Sequence, residues 1–368
     1  MFFVFMFLYP RLMLSQLKYK IEQSARKMEE MSHRANRMAA RKVGHSKETR
    51  KAVDEFTDFF VVEPSAIDPF GLVRKIDQTI RGMESRFAEF VDEIGKGKSY
   101  DEKQQINYGL RAAIGLRQIS KMVRHFVEMA KKFKNLQIAM ILQMQLPIIE
   151  KIAESEFRGT EAFLNGLPIG DSIGPLVAAS MIDNSREIAE DVVMGETNIS
   201  GRRCFVLKAK GPAPHLGRID EAINHIMSRH KISRIITVDA AQKLEGEKTG
   251  SVAEGVGFAM GGIGQREMIE NTLLPKKKPI DSIVVKVGME DAIMPMKKEI
   301  YGSTKRVVEL INKSVNRSKK GEKIIIIGVG NSCGVGDSKK SLSHTQKLVE
   351  EINKAYKKEL KQKKTGWI

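Results

Sequence analysis

After Gly166 the chain carries four short runs dominated by apolar and β-branched residues: RCFVLK (203–208), SRIITVD (233–239), SIVVKV (282–287) and KIIIIG (323–328). A strand with one wet face alternates apolar with polar residues, whereas a nearly continuous apolar strand must be covered on both faces. Between these runs lie stretches of helical spacing, Ile173–Asp183, Gly217–His230, Gly302–Val315 and Ser341–Lys361. The alternation predicts an α/β domain with a mostly parallel sheet and helices on both faces. In such sheets reactive side chains belong on loops that follow the carboxyl ends of strands.

Four loops compete for that role. The first is Gly170-Asp171-Ser172-Ile173-Gly174-Pro175, and the second runs from Lys210 to Arg218 with His215 inside it. The third starts at Asp239, passes Glu254 and ends near Gly264; the fourth is GVGNSCGVGD, 328–337. The fourth has neither the closing Gly-Lys-Ser/Thr of a P-loop nor the spacing of G-x-G-x-x-G, so a nucleotide loop at Gly328–Gly336 is the weakest reading. Asp171 and Asp239 are the candidate catalytic residues. Two carboxylates in one cleft repel, so one keeps a proton while the other activates water, and the same pair could hold a divalent metal. Gly170, Ser172, Gly174, Gly328 and Gly330 would shape the site, and His215, Glu254 and Asn331 would orient water or substrate. The plainer alternative makes Asp171 a helix cap and Asp239 a turn residue.

GLPIGDSIGPLVAASM (166–181), taken with RIITVDAA (234–241), resembles the sites of a group of endopeptidases. That group comprises the hydrogenase-maturation endopeptidases, the spore-germination endopeptidase and a related sporulation protein. The resemblance implies a phosphorylase/hydrolase-like fold with Asp171 and Asp239 as the acids. Gly-Val-Gly-Asn after a strand resembles the first strand and loop of the same enzymes, where it precedes the Gly-Asp loop. Here it follows, which implies a circular permutation placing 323–328 beside Gly170–Pro175. The nickel-binding His of the maturation enzymes has no counterpart, because no His lies between Asp239 and His344. NYGLRAAIGLRQISKMVRHFVE, QMQLPIIEKI and VDAAQKLEGEKTGSVAEGVG resemble an archaeal family of membrane-associated proteins of unknown function, which brings no activity with it.

The N-terminal half is of another kind. Met1–Tyr9 is intensely apolar, then Pro10 and Arg11 follow. A span needs about 20 apolar residues, so this run inserts shallowly, ends a longer span, or is a buried helix end. The basic residues just after it favour a cytoplasmic body by the positive-inside rule. Positions 14, 17, 21, 24, 28, 31, 35 and 38 form a 3–4 seam that predicts a coiled-coil stalk and a homo-oligomer contact. A joint follows at 43–51, then a Pro-rich connector (61–71) in which Asp68 would cap a helix starting at Pro69. Helices are expected over 70–94 and from 102 to 157 with an interruption at Pro147. Arg117, Lys121 and Arg124 share a face and, with His125, form either a basic ridge for a partner or lipid headgroup or part of an amphipathic bundle.

The expected domains are a membrane-associating segment (1–14), a basic stalk and joint (15–60), a helical domain (61–160) and an α/β domain with a basic tail (161–368). The net charge of +17 lies mainly in the stalk and tail. It accompanies no base-reading motif, so nucleic acid ranks below a membrane surface or a peptide substrate as partner. Two distant cysteines, Cys204 and Cys333, exclude a disulfide framework. Two functions stay open: a membrane-tethered hydrolase, an endopeptidase with an aspartate pair, or a non-catalytic membrane-associated module binding an anionic ligand, lipid or nucleic acid.

Overall fold

The computed structural model describes residues 2–44, 46–59, 72–134, 136–257 and 278–365. The connector at 61–71, with its expected Asp68 cap, and the far end of the third loop lie outside these. The chain divides into two compact units, one of residues 1–65 with 106–164 and one of 66–105 with 165–368.

The first unit is helical. It contains α1 (Phe2–Val43), α2 (Lys47–Phe59), α4 (Tyr100–Phe133) from Ile106 onward, and α5 (Leu136–Leu164). The stalk seam is present, but its partners come from the same chain. Leu17, Ile21, Met28 and Ala35 of α1 share a buried cluster with Leu116, Val123 and Val127 of α4 and Ala139, Leu142 and Leu146 of α5. The expected joint is a short break after Val43, and α2 packs back on α1 through Asn36, whose amide donates to Asp54 (2.8 Å) and Thr57 (3.0 Å). Two members of the basic ridge are spent inside the unit. Arg117 donates to Asp58 at 2.6 Å, and Arg124 lies between Glu22 (2.9 Å) and Glu29 (2.7 Å). Lys131 and then Arg124 hold the Glu22 carboxyl down at about 2.

Two boundaries differ from expectation for local reasons. The helical run breaks at Lys134, which adopts φ 50°, and Pro147 sits inside α5 without ending it. Pro147 is exposed, so the backbone carbonyl it leaves unbonded one turn earlier can turn to water. α4 starts sharply because Ser99 and Glu102 form a reciprocal capping box: the Ser99 amide donates to Glu102 at 3.0 Å and the Glu102 amide to Ser99 at 3.3 Å.

The second unit is built on a seven-stranded sheet of order β1-β2-β3-β7-β4-β6-β5. The strands are β1 (Ser185–Ala189), β2 (Val192–Ile199), β3 (Arg202–Ala209), β4 (Ile232–Gln242), β5 (Val252–Val256), β6 (Ile280–Val287) and β7 (Lys323–Gly328). The central four, β3, β7, β4 and β6, run parallel, and the outer strands attach antiparallel. β7 shows why its sequence is apolar throughout. Ile324 and Ile326 join the core under α6 (Ile173–Ala179) and α9 (Thr304–Val315), while Ile325 and Ile327 join the core under α7 (Ile219–Arg229). α8 (Lys298–Gly302) and α10 (Leu342–Thr365) add Ile300 and Val349 to the first of these cores. α3 (Leu72–Ile94) belongs to this unit and not to the helices, and is tied to α7 by Arg81–Glu221 (3.3 Å) and Arg218–Glu84 (2.5 Å).

Candidate functional site

The carboxyl edge of the central strands is closed by a tight crossing of three loops. β7 runs on to Val329, whose amide donates to the Val238 carbonyl at 2.8 Å. The 3-10 turn Gly170–Ser172 and α6 lie directly on these chain ends. A Cβ at Gly174 would sit 2.0 Å from the Val329 carbonyl oxygen and 2.6 Å from that of Val238, so no other residue fits. Gly330 adopts φ +119°, and a Cβ there would meet the Asp171 carbonyl oxygen at 2.1 Å. Strand β7 thus occupies the middle of the sheet, beside Gly170–Pro175.

This crossing holds Asp171. Its amide donates to Ala292 (2.7 Å), and its Oδ2 accepts the Asn331 amide at 2.8 Å. The residue keeps some accessible surface while protein packs closely around its carboxyl. Burial raises its proton affinity above that of an ordinary aspartate, partly opposed by the Asn331 hydrogen bond. Among the described residues no cation pairs with it. Asp239 stands at the same edge, next after Val238; it is 3% exposed and its Oδ1 accepts the Ala240 amide at 2.7 Å. Asp171 therefore lies against Gly330 and Asn331, and Asp239 follows the residue that binds the Val329 amide.

The other candidates divide. Gly170, Gly174, Gly328 and Gly330 are the contact points that make the crossing possible, and a Cβ on Gly328 would lie 2.3 Å from the Gly174 carbonyl oxygen. Ser172 is fully buried and donates to the Cys333 carbonyl at 3.0 Å, so it ties loops together rather than facing a ligand. Asn331 is buried; its Oδ1 accepts the Cys333 amide at 2.9 Å, and its backbone serves Asp171. His215 is next in the network: its amide donates to Ser332 Oγ at 3.1 Å, and its ring stacks on Tyr100 with centroids 5.6 Å apart. Glu254 is not brought to the edge. It pairs with Arg317 at 2.5 Å in a cluster around Asp281, at the opposite end of the parallel strands.

The nucleotide reading of the fourth loop fails on its amides. Those of Asn331, Ser332, Cys333, Gly334 and Val335 donate to Asp171, His215, Asn331, Pro212 and Ser332, so the consecutive amides of 331–335 are all engaged within the protein. Cysteine chemistry is equally poorly placed, because burial pushes the Cys333 thiol far up and that of Cys204 to about 11. Among the described residues no three His, Cys, Asp or Glu side chains converge as a metal site. Two carboxylates alone are a poor donor set for a divalent ion.

Sequence reasoning missed three supports. Lys208, fully buried at the end of β3, pairs with Asp337 at 2.5 Å, and Asp337 also accepts the Gly211 amide at 2.8 Å. Burial lowers the Lys208 proton affinity against the pull of Asp337. A lysine in an otherwise apolar strand and an aspartate closing GVGNSCGVGD were the available signals. Asp191 accepts the Tyr100 hydroxyl at 2.9 Å and lies 3.5 Å from His215 Nε2. The segment after β6 covers the first loop, with Gly170 donating to Met294 at 3.1 Å. A separate cavity of about 210 Å³ lies between β1–β3 and α7, and its lining includes Arg186, His225, Arg229 and His230, with His230 stacked on Phe205.

Residues 1–166 match the model described as protein of unknown function (DUF1512) N-terminal domain, and residues 169–336 match domain of unknown function (DUF1512) C-terminal. No curated protein and no solved structure matches the chain. The boundary between the two matches falls just before Ile169, at the entrance to the Asp171 loop; the chain belongs to the DUF1512 family.

Proposed function

We propose that this protein is a membrane-tethered hydrolase, an endopeptidase that works with the aspartates Asp171 and Asp239. The observation that carries the reading is Asp171 itself. It is a closely packed carboxyl on a partly accessible residue, with raised proton affinity, fixed by the Asn331 amide, at the same sheet edge as the buried Asp239. Fold economy does not require such a group, since an uncompensated buried carboxyl costs stability.

In this reading Asp171 holds the proton and Asp239 is the base. Asp239 takes a proton from water, and the oxygen attacks the peptide carbonyl carbon while Asp171 donates to the carbonyl oxygen. Collapse of the tetrahedral adduct returns that proton to Asp171 and passes the one on Asp239 to the departing amine nitrogen, which breaks the C–N bond. The crossing of Gly174, Gly328 and Gly330 is the rigid frame, as a circularly permuted relative of the resembled endopeptidases would need. No step requires a metal. The apolar Met1–Tyr9 run would tether the body at the cytoplasmic face, with the following basic residues retained on that side.

A cleavage screen with a proteome-derived peptide library tests the reading. Cleavage by the wild type that Asp171→Asn and Asp239→Asn each reduce at least a hundredfold, with folding intact, supports it. Cleavage indifferent to both changes contradicts it. A binding module for an anion is the second reading, favoured by the Arg186–Arg229–His230 cavity. Saturable phosphate binding abolished by Arg229→Ala, without any peptidase activity, would select it.

A further inference from the structure

One side of the helical unit is apolar and uncovered. α4 and α5 run antiparallel, with Gly109 against Leu164 and Gly115 against Glu156, so Lys134 marks the tip of a hairpin. Met122, Phe126 and Phe133 follow helical spacing on α4, and Met140, Ile141, Met144 and Ile148 do so on α5. Each is between 41% and 74% exposed, while Val123, Val127, Ala130, Ala139, Leu142 and Leu146 fill the core beside them. An ordinary solvated helix carries polar residues at such positions.

α1 shows which way this tip faces. Ser24 bonds Glu150 and Arg34 lies over Phe157, so α1 and α5 run in the same direction. Lys131 reaches back to Glu22. The tip is therefore level with the start of the described α1 side chains, where Leu12 and Tyr19 are 58% and 66% exposed. From that level α1 continues outward to Phe2, and the stretch is the apolar run FFVFMFLY. At about 1.5 Å per residue it projects roughly 12 Å beyond the tip. Lys18, Lys20, Lys132 and Lys134 surround the same end, with Lys132 placed 5.6 Å from the Phe133 ring centroid. The nearby acids are already engaged: Lys131 holds both Glu22 and Glu128.

We propose that the α4–α5 tip is a second membrane contact that seats the helical unit on an anionic bilayer. Phe133, Met140, Ile141 and Met144 enter the interface beside Leu12 and Tyr19, and the lysines meet lipid phosphates. The inference rests on the tethered reading for its orientation and adds the site and the lipid class. Aromatic and apolar side chains ringed by lysines suit a headgroup boundary. A twofold contact with a second copy would set the same lysines against each other, which like charge opposes.

Flotation of the full chain with phosphatidylcholine vesicles, with and without 30% phosphatidylglycerol as probe, tests this. A tip variant (Phe133→Ser, Ile141→Ser, Met144→Ser), a charge variant (Lys132→Glu, Lys134→Glu) and an N-terminal variant (Phe3→Ser, Phe5→Ser, Phe7→Ser) are compared, with circular dichroism and melting as folding controls. The expected result is stronger binding to the anionic vesicles, reduced at least tenfold by the tip variant and at least threefold by the charge variant. The N-terminal variant should keep the preference for anionic lipid at lower affinity. Tip and charge variants that bind like the wild type overturn the inference, and if the N-terminal variant alone fails to float, the tether survives without it. Full floating by the N-terminal variant overturns the tether instead. A concentration-dependent dimer that the tip variant abolishes, with vesicle binding unchanged, assigns the face to a second copy and also overturns the proposal.

Discussion

Two aspartates at opposite ends of the central strands are treated in opposite ways. Asp281, at the amino end of β6, is 5% exposed and surrounded by donors: Arg234 at 2.6 Å, Arg317 at 3.5 Å and the Ser314 hydroxyl. Asp171, at the carboxyl edge, has the Asn331 amide at 2.8 Å and no cation among the described residues. Pairing is how a fold keeps a buried charge. A carboxyl held by one backbone amide and no cation, where the backbone is most tightly constrained, is what the proposed hydrolase would use as its acid. The helical unit repeats the contrast, with Glu22 clamped by Lys131 and Arg124 while burial pushes Glu156 up to about 7.

The comparison can be broken most violently at the backbone. Gly330→Ala puts a Cβ 2.1 Å from the Asp171 carbonyl oxygen at φ +119°, and should cost about 3 kcal/mol or more. Chemical denaturation checks this; a near-neutral result would mean the crossing is looser than described. Asp281→Ala strips two arginines of their shared partner and should cost about 2–3 kcal/mol in the same assay. Asp171→Asn should go the other way. The folded state raises the Asp171 pKa above its unfolded 3.8, so its contribution is fully favourable below that value and is lost as pH rises through the folded pKa. The amide keeps an acceptor for Asn331 and removes the ionisation. Melting at pH 7–8 should rise by a few degrees, on the order of 1 kcal/mol, and the gain should vanish near pH 3. A loss of stability at neutral pH would make Asp171 a structural cap. The smallest effect is expected from Glu156→Gln. The raised acid destabilises the helical unit progressively between pH 4.5 and about 7, and the amide should flatten that slope in hydrogen-exchange protection of α5.

The apolar strands β3, β4, β6 and β7 and the loops at their ends were legible because burial on two faces leaves a run no polar periodicity. β1, β2 and β5 were not. SREIA is largely exposed, VVMGETNI carries Gly, Glu and Asn, and VAEGV holds Glu254 for Arg317. β1 and β5 are edge strands and β2 lies next to one, and such strands owe their pairing to a neighbour rather than to their own pattern. The stalk seam was readable as a seam, but periodicity cannot say whether the complementary helix comes from the same chain. At the site, Asp171 and the glycines stood out because turn chemistry is local. The Lys208–Asp337 pair bridges 129 residues and leaves only an odd lysine in a strand as its trace.

The central claim is that Asp171 and Asp239 act as one proton-sharing pair. Carboxyl carbon NMR titration of the wild type and of Asp239→Asn tests it most directly. The account predicts that Asp171 titrates well above 3.8 in the wild type and falls when residue 239 is neutral, because removing a neighbouring negative charge eases ionisation. An Asp171 that titrates near 3.8 and ignores the change at 239 would contradict it, and would leave two separate aspartates at one sheet edge.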